Sequence, residues 1–195
     1  MKTAVIILAA GSSSRLGQAK QNLHYKGKTL LQHSIDTALS AGCSPVMVVV
    51  GASSEEILTG LETTDITILQ NKNWATGMAS SIHAGIDKLS NDFKKVKQVI
   101  LMVCDQPFVD PILLNKLIEE KTKGNKKIVA SAYSETLGVP ALFDKSIFPE
   151  LLSLKGSEGA KKILLTYSKD VAKVPFPLGH VDIDTMEDYN DLATN

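Results

Sequence analysis

Residues 4–10, Ala-Val-Ile-Ile-Leu-Ala-Ala, form an unbroken apolar run that stops on Gly11. Such a run is too short to cross a bilayer as a helix, and it lacks the polar alternation of a half-exposed strand. It therefore reads as a strand buried on both faces, which is the habit of parallel sheets covered by helices on either side. The remaining pattern agrees. Thr29–Ala41 has a helical period closed by Gly42, and Val46–Val50 is a second strand. Ser53–Leu61 is helical, Ile66–Leu69 strand-like, Met78–Leu89 helical and Val99–Val103 a central strand. Pro111–Lys123 follows Asp110, a cap residue with proline at the first helical position, and Ile128–Ala132 is a further strand. The last third is less regular, with a short strand at Pro140–Phe143 and helices near Ile147–Leu154 and Gly159–Tyr167. Strand and helix in alternation predict an α/β fold of βαβ units with a mostly parallel sheet.

Length and composition narrow the function. The 195 residues are expected to form one domain, 1–195. Lys plus Arg and Asp plus Glu number 21 each, so there is no cationic excess of the kind a nucleic-acid coat or a polybasic membrane anchor needs. The apolar run near the N-terminus has no signal-peptide cleavage pattern after it, and a cytoplasmic location is expected. Cys43 and Cys104 sit beside apolar runs and read as buried, reduced thiols. The histidines are scattered without metal-ligand spacing.

In open parallel sheets, ligands bind beyond the carboxyl ends of the strands, so the residues after Ala10, Leu69, Val103 and Ile183 are where chemistry is expected. After the first strand comes Gly11-Ser12-Ser13-Ser14-Arg15-Leu16-Gly17-Gln18-Ala19-Lys20. A Gly- and Ser-rich turn lets backbone N–H groups approach an anion, and Arg15 and Lys20 add fixed positive charge, as a triphosphate requires. A basic surface loop would look the same. Asp105, ending the central strand in Cys104-Asp105-Gln106-Pro107, either faces the crevice to hold Mg²⁺ on phosphates or caps the next turn. Asp182 and Asp184, alternating about Ile183, read as two carboxylates on one face of a short strand, or Asp184 as the cap of a helix beginning at Thr185. Gly77-Met78-Ala79-Ser80-Ser81 opens a helix where small residues admit a flat group, although ordinary capping explains it equally.

Together the segments LAAGSSSRLGQAKQ (8–21), NWATGMASSIHAG (73–85), CDQP (104–107), GVPALF (138–143) and DIDTMEDY (182–189) resemble, in order, the MobA/MocA-type nucleotidyltransferase family. The chain is most similar to its molybdenum cofactor cytidylyltransferase branch. The resemblance implies a three-layer αβα Rossmann-like sheet of the nucleotide-diphospho-sugar transferase type. It implies that a terminal phosphate of molybdopterin attacks the α-phosphate of CTP with Mg²⁺ as cofactor, releasing pyrophosphate. Carried over, Leu8, Ala9, Ala10 and Gly11 would hold the nucleotide through backbone groups. Arg15 and Lys20 would bind its phosphates, with Lys20 at the reacting one. Gly77, Ser80 and Ser81 would help bind the base. Asp105 would ligate Mg²⁺, with Asp184, or Asp182, as the second carboxylate. Relatives using GTP carry glycine where this chain has Ala10, which marks the CTP branch.

One segment departs from the family. Where it commonly reads Gly-Asp-Lys-Gly-Ala-Arg, this chain has Gly156-Ser157-Glu158-Gly159-Ala160-Lys161, so the acceptor could differ. A guanylyltransferase, a sugar-phosphate nucleotidyltransferase and a maturation chaperone delivering the cofactor to a molybdenum enzyme remain alternatives. Family precedent implies a monomer, acting on neither nucleic acid nor membrane.

Overall fold

The structure is a computed structural model that describes residues 2–13, 16–51, 54–59, 61 and 65–194, with side chains as far as residue 192. The described chain runs β1 (Ala4–Ala9), β2 (His24–Tyr25), β3 (Lys28–Thr29), α1 (Leu30–Ser40), β4 (Val46–Val50), α2 (Ser54–Thr59), β5 (Thr67–Gln70) and α3 (Met78–Asp92). It continues with β6 (Gln98–Val103), α4 (Pro111–Lys123), β7 (Ile128–Tyr133), β8 (Thr136–Asp144), α5 (Phe148–Leu152), α6 (Ala160–Thr166), β9 (Val171–Pro175) and α7 (Met186–Thr194). Strands β2 and β3 make a small separate hairpin, and the other seven form one sheet in the order β5-β4-β1-β6-β8-β7-β9.

The β1 run is buried along its whole length because it lies between β4 and β6, parallel to both. Its side chains alternate between two cores. Ala4, Ile6 and Leu8 pack under α3, α5 and α6, while Val5, Ile7 and Ala9 pack under α1, α2 and α4. This is the three-layer arrangement. On one face the helix α3 lies close to the sheet at Gly85, where a Cβ would come within 2.9 Å of Ile6. The registers Ala9–Val50, Leu8–Val103 and Val50–Gln70 end β1, β4, β5 and β6 at one level. Ala10, Gly51, Asn71 and Cys104-Asp105 therefore share one edge of the sheet.

The sheet is mostly parallel, but β8 runs antiparallel to both β6 and β7. It extends over Thr136–Asp144, well beyond the expected Pro140–Phe143, because its N-terminal half forms a hairpin with β7. Strand β9 is not marked by sequence pattern. It is an edge strand that pairs only with β7, so it needs no doubly buried apolar run and tolerates Pro175 at its end. A third apolar cluster joins Ile183 and Leu192 to Leu16, Leu23 and Leu30, seating α7 against the segment after β1. No helix among the described residues is long and apolar enough to cross a membrane.

Candidate active site at the carboxyl edge of the sheet

The chain leaves β1 through Ala10 and Gly11 and reaches Lys20 at the head of a single 3₁₀ turn, Lys20–Asn22. Gln21, 1% exposed, ties this turn to the strand end: its Nε2 donates to Ala9 O at 2.7 Å and to Gly11 O at 3.2 Å. The Lys20 N–H donates to Ser13 Oγ at 3.0 Å. The loop is thus held at both ends by hydrogen bonds to its own backbone, which leaves the Lys20 side chain to cross towards β6. Arg15, expected on the triphosphate, lies outside the described residues, as does Ser14.

Asp105 lies just beyond β6, one strand from β1. The segment 181–184 is not a strand, contrary to the alternation expected for Asp182 and Asp184. It is an extended connection held by Ile183, whose side chain is fully buried and whose N–H donates to Asp105 O at 3.0 Å. Nor does Asp184 cap the following helix. Thr185 and Asp188 do so reciprocally: Thr185 Oγ1 accepts from the Asp188 N–H at 3.2 Å, and Asp188 Oδ2 accepts from the Thr185 N–H at 2.7 Å. Asp188 serves the cap because its side chain reaches back over the first turn. Asp184 is left to face Lys20.

Lys20 Nζ is clasped between two carboxylates, in contact with Asp105 Oδ2 and 3.0 Å from Asp184 Oδ1. The Lys20 and Asp105 side chains are each 16% exposed and that of Asp184 34%. Burial alone would lower the Lys20 pKa, but attraction to Asp105, and hydrogen bonds to Asp105 and Asp184, outweigh it and raise the value. Asp182 belongs to the same acidic group. Burial, then repulsion from Asp105 and Asp184, hold its carboxyl above the ordinary range. Asp105 Oδ1 is buried and has no hydrogen-bond partner among the described residues. An orphaned, buried carboxylate oxygen beside a second carboxylate fits a hard divalent cation. Among the described residues no three acidic, His or Cys side chains cluster as a complete set of ligands. Two carboxylates with substrate phosphates and water completing the shell is the usual protein share for Mg²⁺.

Beside this group is a cleft of about 250 Å³ lined by Leu8, Ala10, Gly11, Trp74, Gly77 and Ser81, together with Ser12, Ala75 and Met78. The expected nucleotide positions Leu8, Ala10, Gly11, Gly77 and Ser81 therefore meet around one space. Ala9 and Ser80 are not among its lining residues. Gly77 has φ +115°, and a Cβ there would lie 2.3 Å from Gly156 O. Glycine is required on both counts. Its absent side chain lets the loop after α5 press against the start of α3, where the Ala79 N–H donates to Gly156 O at 3.1 Å. The departure segment 156–161 is thus a neighbour of this cleft. Glu158 closes that loop, accepting from the Lys155 N–H at 2.8 Å and from Lys162 Nζ at 2.6 Å.

Two residues escape a reading of the sequence alone. Gln21 carries no signal beyond following Lys20. Asn71 does carry one, since it stands at the carboxyl end of β5, but its hydrogen bonds become visible only in three dimensions. Cys104 is buried and its thiol is pushed up to about 12, mainly by that burial; burial raises Cys43 to about 11. Neither thiol is a nucleophile at neutral pH.

A profile of the MobA-like NTP transferase domain matches residues 5–171. The chain belongs to that family. The family is one of NTP transferase domains, and the fold agrees with a nucleotidyltransferase. This MobA-like chain is 29% identical to the nicotine blue oxidoreductase of Paenarthrobacter nicotinovorans, over 82% of its own length and 79% of that protein. It is 27% identical to the molybdenum cofactor cytidylyltransferase of Escherichia coli K12, over 94% and 92% of the two chains. The crystal structure of Rv0371c from Mycobacterium tuberculosis superposes with a TM-score of 0.86 at 26% identity, covering 100% of this chain and 99% of that one. Rv0371c has also been solved in complex with manganese.

Proposed function

We propose that this MobA-like protein transfers CMP from CTP to the terminal phosphate of molybdopterin, releasing pyrophosphate, and that it acts as a single domain, monomeric and cytoplasmic. The observation that carries the reading is the Lys20 clasp beside the Gly-rich loop and cleft: one cation and two carboxylates, 105 and 184, within reach of where a triphosphate would lie. Ala10 in the cleft wall, where GTP-using relatives have glycine, supports CTP. The similarity to a molybdenum cofactor cytidylyltransferase supports the acceptor.

A phosphate acceptor is ionised at neutral pH, so no general base is needed. The barrier lies in anion–anion repulsion and in-line alignment. The loop N–H groups of 10–13 would orient the phosphates, with Arg15 adding charge. Lys20 would turn from the carboxylates to the α-phosphate, where its positive charge stabilises the equatorial oxygens. Mg²⁺ held by Asp105 and Asp184 would supply charge neutralisation on the triphosphate. The Leu8, Ala10 and Ser81 side of the cleft would take the base.

The test is pyrophosphate release from CTP, GTP, UTP and ATP with Mg²⁺ and molybdopterin. CTP-dependent release supports the reading. Preference for GTP overturns the role given to Ala10, and pterin binding without turnover of any nucleotide favours a cofactor carrier.

A further inference from the structure

We infer that Asn71 sets the hydrogen-bond polarity with which the cleft reads a nucleobase, by making Ser81 a donor; the inference rests on the cleft being the nucleotide site. Asn71 is 5% exposed and follows β5 directly. Its Oδ1 accepts from the Asn73 N–H at 2.9 Å, an Asx turn that fixes the orientation of the amide, since only the oxygen can accept there. The amide nitrogen therefore faces the start of α3, where Nδ2 donates to Ser80 Oγ at 2.8 Å and to Ser81 Oγ at 3.0 Å.

An NH₂ group can only donate, so both serine oxygens must accept. Ser80 returns its own proton to the backbone, with Gly77 O at 2.8 Å and Asn73 O at 3.0 Å. Ser81 differs. Among the described residues its hydroxyl proton meets no acceptor in the protein, and Ser81 lines the cleft. That proton is held for whatever enters. A base edge offering a lone pair, as cytosine does at N3 and O2, takes that proton; an edge offering an N–H at the same place, as uracil does at N3, can use only the lone pair that Asn71 leaves and strands the buried Ser81 proton without an acceptor. Asn71 touches no nucleotide and is a positioning residue, acting through Ser81.

Asn71→Asp tests this with almost no change of shape. One carboxylate oxygen still accepts from Asn73, and the other takes the proton of Ser81 where the amide had donated one. Trp74 is the only tryptophan in the chain and lines the cleft, so its fluorescence reports binding. Dissociation constants are read for CTP, UTP, GTP, ATP and inorganic triphosphate, each with Mg²⁺, on wild type, N71D and S81A. Negative charge added at 71 weakens all of these ligands alike and cancels in the ratios. We expect the wild-type preference among the four bases to fall by about tenfold in both variants. Inorganic triphosphate shows no such distinction. Equal losses for every ligand with the base ratios intact, in either variant, overturn the inference, as does a wild type without base preference. A wild type that binds triphosphate but no nucleotide overturns the nucleotide reading itself. Should N71D not fold by circular dichroism, Asn71→Ala is held to the same ratios.

Discussion

Replacing Lys20 by methionine keeps a long unbranched side chain, one atom shorter, and removes the charge that two carboxylates share. Breaking a fully buried ion pair costs about 3–5 kcal/mol, and losing an exposed one about 0–1 kcal/mol. The Lys20 cluster lies between these limits, because Lys20 and Asp105 are each 16% exposed while Asp184 is 34% exposed. About 2 kcal/mol is therefore expected, which for a chain of this size lowers Tm by roughly 4–8 °C. The loss should be recoverable. With the ammonium gone, the mutual repulsion of Asp105, Asp182 and Asp184 grows, and a divalent cation can take the ammonium's place. At about 10 mM Mg²⁺ and a Kd of about 1 mM, binding to the folded state returns about 1.4 kcal/mol. Thermal unfolding of wild type and Lys20→Met, in chelator and in Mg²⁺, provides the assay. Wild type should gain less from Mg²⁺ than the variant, since its own ammonium already offsets part of the carboxylates' charge. Equal Tm in chelator, or equal gains from Mg²⁺, would refute the assignment of Lys20 as the internal counter-ion.

Asp105→Asn should lower metal-dependent pyrophosphate release by about 10²–10³-fold, because the amide still fits but no longer attracts a cation, with a loss of Tm no larger than that of Lys20→Met, because Lys20 keeps Asp184 and the repulsion among the carboxylates falls. Gly77→Ala puts a methyl group against Gly156 O at a left-handed φ, so urea unfolding should show a loss of about 1–3 kcal/mol together with weaker nucleotide binding. At Asp144, burial opposes ionisation, but hydrogen bonds from Ser146 and the Lys121 charge outweigh it and hold the carboxyl below its usual value. Its stabilisation is therefore complete above the ordinary carboxylate range and disappears as pH falls through the lowered value. Asp144→Asn, which keeps a cap acceptor, should cost up to about 1 kcal/mol near neutral pH, with the difference from wild type closing below about pH 4 in pH-dependent urea titrations.

The parallel half of the molecule was legible because β1, β4 and β6 are doubly buried and announce themselves as apolar runs, and because the helices between them carry plain signals such as Asp110-Pro111. The site positions before Asp105 followed from the same rule, since they stand where those strands end. What the chain does after β7 was harder to read. Strand β9 sits at an edge and β8 is antiparallel, so neither shows the continuous run that marks a central parallel strand. Asp184 was placed beside Asp105 by the right residues for the wrong reason. A buried Ile183 and a backbone hydrogen bond hold it there, not strand alternation. Gln21 and Asn71 act through hydrogen bonds to partners that no spacing rule connects.

The return of Ile183 and Leu192 to the cluster containing Leu16, Leu23 and Leu30 fixes when the proposed catalytic group can exist during synthesis. Six of the seven strands of the main sheet end by Asp144, so most of the sheet can assemble on the ribosome while Lys20 has Asp105 but not yet Asp184 beside it. The second carboxylate arrives with the segment that packs over the earliest part of the chain. A nascent protein can therefore be folded through most of its core and yet be unable to present the pair of carboxylates, which separates the acquisition of structure from the acquisition of chemistry.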